Sequence, residues 1–237
     1  MGTKRLPRVC IVIPAYNEEA VIKSVVTDVR KSLHQAGYDG EVVVVNDGSK
    51  DKTAQYAAQA GAIVITHILN SGAGSATTTG LSYAEQSGFA YAATMDGDGQ
   101  HTPEDVIKGI REIIKRRDDL LIGSRLINNK GMSRVKVLGN KGLSTITYLL
   151  FGINSTDSQS GLRIFSRRAL EQLRWKTSGY EFCSEMLWRA RQANLKISEF
   201  PIKAIYTDYS KNKGQNNWNG INIVKSLLRR RIVEIFE

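Results

Sequence analysis

The sequence predicts an α/β fold: a mostly parallel central sheet with helices on both faces, Rossmann-like in its first half. Two observations predict it. Short apolar runs alternate with segments of helical periodicity over the first two thirds of the chain. Three polar loops, Pro14–Glu18, Asn46–Ser49 and Asp96–Gln100, each close one of those runs. Right-handed strand–helix–strand crossovers put every parallel strand's carboxyl end on one edge, so these loops converge where ligands bind in such sheets.

The elements follow in order. Val9 to Ile13 is unbroken and apolar, suiting a strand buried on both faces, and Pro14 ends it. Val21, Val25, Val29 and Leu33 recur at helical spacing, with Gly37 as the stop. Glu41 to Val45 is the second strand. Asp47-Gly48-Ser49 turns the chain, and Asp51 or Ser49 caps the next helix. Ala62 to Ile65 is the third strand, followed by a Gly- and Thr-rich helix to about Ser87. Phe89 to Met95 is the fourth, stopped by Asp96-Gly97-Asp98-Gly99. Thr102-Pro103-Glu104 opens a helix with Thr as cap and Pro in the first turn. Leu120 to Gly123 is a fifth strand. Beyond residue 125 a basic stretch, Asn128 to Lys136, leads into an apolar helix from about Val137 to Phe151. A strand at Leu162 to Phe165, a helix near Glu181 to Ala193, short strands from Ile197 to Tyr206 and a last helix from Trp218 complete the chain.

Composition narrows the classes. The 237 residues suit one large domain, 1–237, and no low-complexity linker divides it. Lys and Arg outnumber Asp and Glu by 33 to 23, a net +10 that attracts polyanions or solubilises the surface. No nucleic-acid motif accompanies that charge, so nucleic acid is not an expected partner. Two cysteines, Cys10 and Cys183, make no disulfide framework, and no secretory apolar region opens the chain, which reads as a cytoplasmic setting. No run reaches the roughly 18 to 20 apolar residues that cross a bilayer. Leu6 stands where N-myristoylation wants Ser or Thr.

The chemistry centres on Asp96-Gly97-Asp98, with Gln100 and His101 beyond. A strand end presents two carboxylates in a tight turn, and hard oxygen ligands suit Mg²⁺ or Mn²⁺ shared with substrate phosphates. A plain Asp-Gly turn is the alternative. An EF-hand is excluded, since no Glu stands at the twelfth position from either Asp. Asn70-Ser71-Gly72-Ala73-Gly74 is a poor dinucleotide fingerprint: it follows the third strand, and Thr77 replaces the last glycine.

Pro14-Ala15-Tyr16-Asn17-Glu18, Asn46-Asp47-Gly48-Ser49 and the later Asp-Gly-Asp, in that order, resemble the family 2 glycosyltransferases of GT-A fold, from Val9 to about residue 210. The resemblance implies that Pro14, Ala15, Tyr16, Asn17, Glu18 and Asp47 hold base and ribose. Gly74 would lie near the diphosphate, Asp96 and Gly97 on the donor side, and Asp98 and Gln100 on the metal. From the residues alone, Tyr16 reads equally as a half-buried aromatic and Asp47 as a residue capping its own turn. Within the family, Asp96 to Pro103, Gly123-Ser124-Arg125, Arg134 with Asn140, and Asp157-Ser-Gln-Ser160-Gly161-Leu-Arg163 are similar to the dolichyl- and polyprenyl-phosphate sugar synthases. That likeness implies Arg125, Arg134 and Ser160 at the acceptor phosphate, with Lys211 and Lys213 closing over the phosphates. A solvated surface charge is the rival reading of Arg134, and an exposed basic turn that of either lysine. The likeness divides the domain into a nucleotide-sugar half (1–125), an acceptor half (126–210) and a basic amphipathic helix (211–237) fit for anionic lipid or for packing on the domain.

The tail from Tyr206 to Gln215 departs from the mannosyl enzymes' pattern and looks more like bacterial enzymes using UDP-sugars. The implied reaction is metal-dependent inverting transfer of glucose or N-acetylglucosamine from a UDP-sugar to undecaprenyl phosphate, with Asp96, Asp98, Arg125 and Arg134 catalytic. The implied place is the inner face of the cell membrane, held by the surface itself or a small membrane partner protein, and a homo-oligomer is compatible. The rivals are a family 2 enzyme acting on a glycan or protein hydroxyl, and a non-catalytic nucleotide-binding module. Glu181 and Glu185, four apart on one helix face, read as base and support for a hydroxyl acceptor or, by default, as salt-bridging residues. His101 reads as a residue that orients the metal turn.

Overall fold

A computed structural model describes residues 6–128, 134–203, 205 and 209, with 134–136 as backbone only. Its strands are β1 (Val9–Ala15), β2 (Gly40–Asn46), β3 (Ile63–Thr66), β4 (Tyr91–Thr94), β5 (Leu120–Ser124), β6 (Arg163–Ser166) and β7 (Ile197–Pro201). Its helices are α1 (Ile22–Gln35), α2 (Thr53–Gln59), α3 (Ala73–Gln86), α4 (Pro103–Arg116), α5 (Arg134–Phe151), α6 (Arg167–Gln172) and α7 (Phe182–Gln192). The strands form one sheet in the order β3-β2-β1-β4-β6-β5-β7. β6 alone runs antiparallel to its neighbours β4 and β5, and every other pairing is parallel.

Successive strand residues point to opposite faces, and β1 is the sheet's axle for that reason. Cys10 and Val12 join the core that α3 and α7 cover, while Val9, Ile11 and Ile13 join the core under α1 and α4. Burial pushes the Cys10 thiol up to about 12, as fits a small core residue. The strand order turns around between β1 and β4, so a crevice opens at their carboxyl ends.

The sequence placed all seven strands, and the structure refines several of them. β6 was legible as a strand but not as antiparallel. Its direction follows from the chain reaching it along the carboxyl edge, after α5, instead of crossing back below the sheet. α6 had no sequence signal beyond Ser166, whose Oγ accepts from the Ala169 N–H. Thr102 caps α4 as expected, accepting from the Asp105 N–H at 3.0 Å. At α2, Asp51 accepts from the Thr53 N–H, while Ser49 bonds elsewhere. The expected helix from Trp218 and the lysines at 211 and 213 lie outside the described residues.

Candidate active site

The first wall of the crevice is two loops joined into one. The Asn17 N–H donates to Ser49 Oγ at 2.9 Å, and the Lys50 N–H donates back to Asn17 Oδ1 at 2.9 Å. Glu18 N–H donates to Thr53 Oγ1 at 2.7 Å, Glu19 N–H to Asp51 Oδ2, and Lys52 N–H to Glu19 Oε2. Asn17 takes a left-handed φ of 54°, a conformation Asn tolerates better than most side chains. The Pro14–Glu18 loop is thereby clamped to the loop after β2. Tyr16 stands 40% exposed on it. Tyr209 reaches the same loop from the far end of the described chain, its hydroxyl donating to Glu18 Oε2 at 2.8 Å.

Asp47 is engaged by the protein itself. Its side chain is buried, and its oxygens accept from the Ser71 N–H (2.9 Å) and the Gly72 N–H (2.8 Å), with His67 Nδ1 also at 2.8 Å. It therefore shapes the loop between β3 and α3, and it acts on the site through that loop. Gly48 must be glycine there: φ is +69°, and a Cβ would strike the backbone of Leu69 and Asn70. Gly74 packs against a neighbouring loop. Its N–H donates to Ser178 O at 2.7 Å, and a Cβ would collide with the Thr177 and Ser178 carbonyls. Glu185, wholly buried, holds that covering loop by accepting from the Lys176 and Thr177 N–H groups, and it pairs with Arg189 at 3.5 Å, the salt bridge read by default from the sequence.

The second wall is the turn after β4. Asp98 accepts from the Gln100 N–H at 3.0 Å and from Gln100 Nε2 at 2.6 Å, so the two expected metal ligands already meet. Asp96 Oδ2 lies 3.0 Å from Nε2 of the buried His101, which orients it as anticipated. Gly97 lies under the Pro14 carbonyl, which joins this turn to the first loop. The two carboxylates are pushed apart electrostatically. Burial works to raise Asp96, but the bond and charge of His101 and the guanidinium groups of Arg125 and Arg163 outweigh it and hold Asp96 below the usual carboxylate range. Asp98 is raised by burial, by the charge of Asp96 and, more weakly, by Glu18. Tyr180 faces the same charges: burial, then Asp96, Cys183, Asp98 and Glu18, push its phenol up.

A divalent cation fits this turn. Among the described residues no cluster of three or more His, Cys, Asp or Glu side chains forms a closed cage. Asp98 and Gln100 instead supply a partial set of hard oxygens, in the manner of a cation completed by water and substrate phosphate. Burial, and then the charge of Asp96, disfavour the ionised form of Asp98, and a bound cation would offset both.

The third wall comes from the antiparallel strand. Pairing of Arg163 with Thr94 brings the turn before β6 against Asp96. A Cβ on Gly161 would overlap both Asp96 carboxylate oxygens, so this glycine leaves room for the carboxylate. Arg163 is 1% exposed and has no acidic partner; it donates to the carbonyls of Ser160, Ser158 and Cys183 at 2.7 to 3.2 Å. Arg125 binds Asp157 through two parallel bonds, Nε to Oδ2 at 2.7 Å and Nη2 to Oδ1 at 2.9 Å. That fork engages Nε and Nη2 of Arg125 and fixes the plane of its guanidinium. Ser160 is buried with its hydroxyl unmatched by any group of the described residues, as is His101 Nδ1. Arg134 begins α5, and its side chain lies outside the described residues, as do Lys211 and Lys213.

The structure thus gathers Pro14 to Glu18, Gly97, Asp96, Asp98, Gln100 and the Asp157–Gly161 turn around one crevice. His67, Tyr180 and Tyr209 are site or support residues to which sequence reasoning gave no role. Asp157, Gly161 and Arg163 belong to a run that the sequence singled out, but their individual roles were not legible there.

Fold and crevice define a GT-A glycosyltransferase. Residues 10–174 match the model of glycosyl transferase family 2, and the chain belongs to that family. The UDP-N-acetylglucosamine–dolichyl-phosphate N-acetylglucosaminyltransferase of Methanococcus voltae is 42% identical, over 96% of this chain and 97% of its own length. The polyprenol monophosphomannose synthase of Mycolicibacterium smegmatis is 26% identical, over 94% and 85%. Among solved structures, glucosyl-3-phosphoglycerate synthase from Mycobacterium tuberculosis in complex with Mn²⁺, UDP and phosphoglyceric acid superposes with a TM-score of 0.70 at 19% identity, covering 95% of this chain and 78% of that one. At that identity the likeness is one of fold.

Proposed function

We propose that this glycosyltransferase moves a sugar, N-acetylglucosamine or glucose, from a UDP-sugar to a polyprenyl phosphate, with Mg²⁺ or Mn²⁺ at Asp98 and Gln100. One observation carries the reading: a carboxylate pair of opposed proton affinity at the β1–β4 switch point, flanked by a buried, cationic acceptor turn. The 42% relative's name pairs UDP-N-acetylglucosamine with dolichyl phosphate, which favours that sugar over glucose.

The bound cation would neutralise charge on the departing diphosphate. The rest falls to the protein. The clamped β1 and β2 loops fix the nucleotide, and Tyr16 offers its face to the base. Asp96, kept ionised and aimed by His101, orients the donor sugar. An acceptor phosphate oxygen forms the new bond at the anomeric carbon as the bond to the diphosphate oxygen breaks on the opposite side, inverting that centre. A phosphate monoester is largely ionised near neutral pH, so no base is needed and alignment dominates. Arg125 and Arg163 supply positive potential there. A hydroxyl acceptor would need a base, and Glu185 is occupied as a backbone acceptor. The same reading implies a peripheral position at the inner face of the cell membrane. No helix among the described residues is long and apolar enough to cross one.

The test is a panel of UDP- and GDP-sugars against short polyprenyl phosphates and soluble hydroxyl acceptors, with Mn²⁺ or Mg²⁺, reading nucleotide release and glycolipid. Glycolipid from UDP-N-acetylglucosamine is expected. Turnover with hydroxyl acceptors alone would reject the proposal.

A further inference from the structure

The stretch that leads into α7 joins the two halves of the crevice. On the donor side, the Gly74 N–H donates to Ser178 O at 2.7 Å, and a Cβ on Gly72 would strike Ser178 O and lie 3.5 Å from the Gly179 nitrogen. On the acceptor side, the first turn of α7 meets the Asp157–Gly161 turn and the strand after it. Arg163 Nη1 donates to Cys183 O at 3.2 Å, and Gln159 Nε2 donates to Ser184 Oγ at 3.1 Å. Tyr180 and Glu181 stand between these two attachments. The stretch is also fixed from behind: Phe182 is buried against Trp175 with ring centroids 5.7 Å apart, and Glu185 accepts from the Lys176 and Thr177 N–H groups. The backbone that presents Tyr180 and Glu181 is therefore held in place before any ligand arrives.

Neither side chain has a task within the fold. Tyr180 is 48% exposed and Glu181 half-buried, and among the described residues the phenol hydroxyl and the carboxylate have no partner. The Glu181 carboxylate folds back over Gly179, where a Cβ would lie 2.5 Å from Oε2, and so toward the donor side. Tyr180 lies within electrostatic reach of Asp96, Asp98 and Glu18. Carboxylates facing carboxylates disfavour an anion in the space between them. They suit a neutral polyol, whose hydroxyls donate to carboxylate oxygens and whose C–H face packs on an aromatic ring. A tyrosine ring gives that contact at little cost in side-chain freedom.

We infer that Tyr180 and Glu181 hold the sugar of the donor, Tyr180 by packing its ring on the hexose and Glu181 by accepting hydrogen bonds from its hydroxyls. A transferred sugar lies between the diphosphate it leaves and the acceptor it joins, and this stretch is bonded to the segments on both sides of that position. Glu181 is then a ligand contact and not the base that a hydroxyl acceptor would need. Both roles rest on the nucleotide-sugar reading of the site and are independent of the acceptor.

Full-length protein with Mg²⁺ and no acceptor would be titrated calorimetrically with UDP-N-acetylglucosamine, UDP-glucose and GDP-mannose, and with UDP and GDP alone. Tyr180→Ala and Glu181→Ala should each weaken UDP-N-acetylglucosamine about tenfold while UDP stays within about twofold of wild type. Unchanged UDP binding also shows that the fold is intact. Tyr180→Phe keeps the ring and should lose only about threefold. Equal losses for UDP and its sugar conjugate would overturn the inference by making these residues nucleotide contacts or supports, and no loss for either would overturn it outright. Glu181→Gln that binds the sugar nucleotide like wild type yet turns over about 10³-fold more slowly would overturn it in favour of a base. A wild type that takes GDP-mannose instead, with losses confined to GDP-mannose and absent for GDP, would uphold both contacts and reject the UDP-sugar donor.

Discussion

The donor and acceptor sides proposed for the crevice are built by different means. The donor side is two adjacent loops laced together by short polar bonds, Asn17 to Ser49 and Lys50, Glu18 to Thr53, Glu19 to Asp51 and Lys52. The acceptor side rests on buried charge: Arg163 among carbonyls, Asp157 under Arg125, Glu185 under the 176–178 loop. Many small bonds share a load, so losing one is mild. A buried charge that loses its partner is costly, since nothing else solvates it. The acceptor side should therefore be the brittle one, and the Asp96–Asp98 turn between them should govern rate more than stability.

The largest effect belongs to that turn. Asp98→Asn should lower metal-dependent turnover by about 10³-fold, the scale of losing a charge-stabilising group. It should also raise the melting temperature of the metal-free protein at pH 7. The sign follows from the raised pKa of Asp98. Its native form binds the proton more tightly than the unfolded chain does. Stability from that group is present at low pH and is lost as pH rises through the folded pKa, and Asn removes the penalty. Metal binding must displace that proton, so metal affinity should fall as pH drops toward the same range. A destabilised Asp98→Asn protein would show the turn to be structural.

Gly161→Ala should come next, lowering kcat on the order of 10²-fold by displacing Asp96, with the fold retained by circular dichroism. Asp157→Ala should destabilise by about 3 kcal/mol, since it strands a largely buried guanidinium. Ser49→Ala, on the laced side, should cost about 1 kcal/mol. Denaturant unfolding of the last two measures the contrast directly, and equal losses would erase it.

The same contrast explains what the sequence disclosed. The donor side was legible because its loops follow apolar strands and contain Pro, Asn, Asp and Gly in order, each with a local mechanism. What holds each residue inside those loops was less so: the bonds of Asp47 to the Ser71 and Gly72 N–H groups and of Gly74 to Ser178 had no sequence signal. The acceptor side depends on partners distant in sequence. Asp157 meets Arg125 across 32 residues, and Glu185 is held against a loop that covers Gly72 and Gly74. No periodicity records such pairings. The antiparallel β6 was equally hidden, because a four-residue run carries no direction.

One measurement bears most directly on the cation at β4's exit. Mn²⁺ would be titrated into wild type, Asp98→Asn and Gln100→Ala, each with saturating UDP, and bound metal read by loss of its free paramagnetic signal. Wild type should take up one equivalent, Gln100→Ala should hold it more weakly, and Asp98→Asn should hold none in the same range. Equal uptake by all three proteins would contradict the account at its centre.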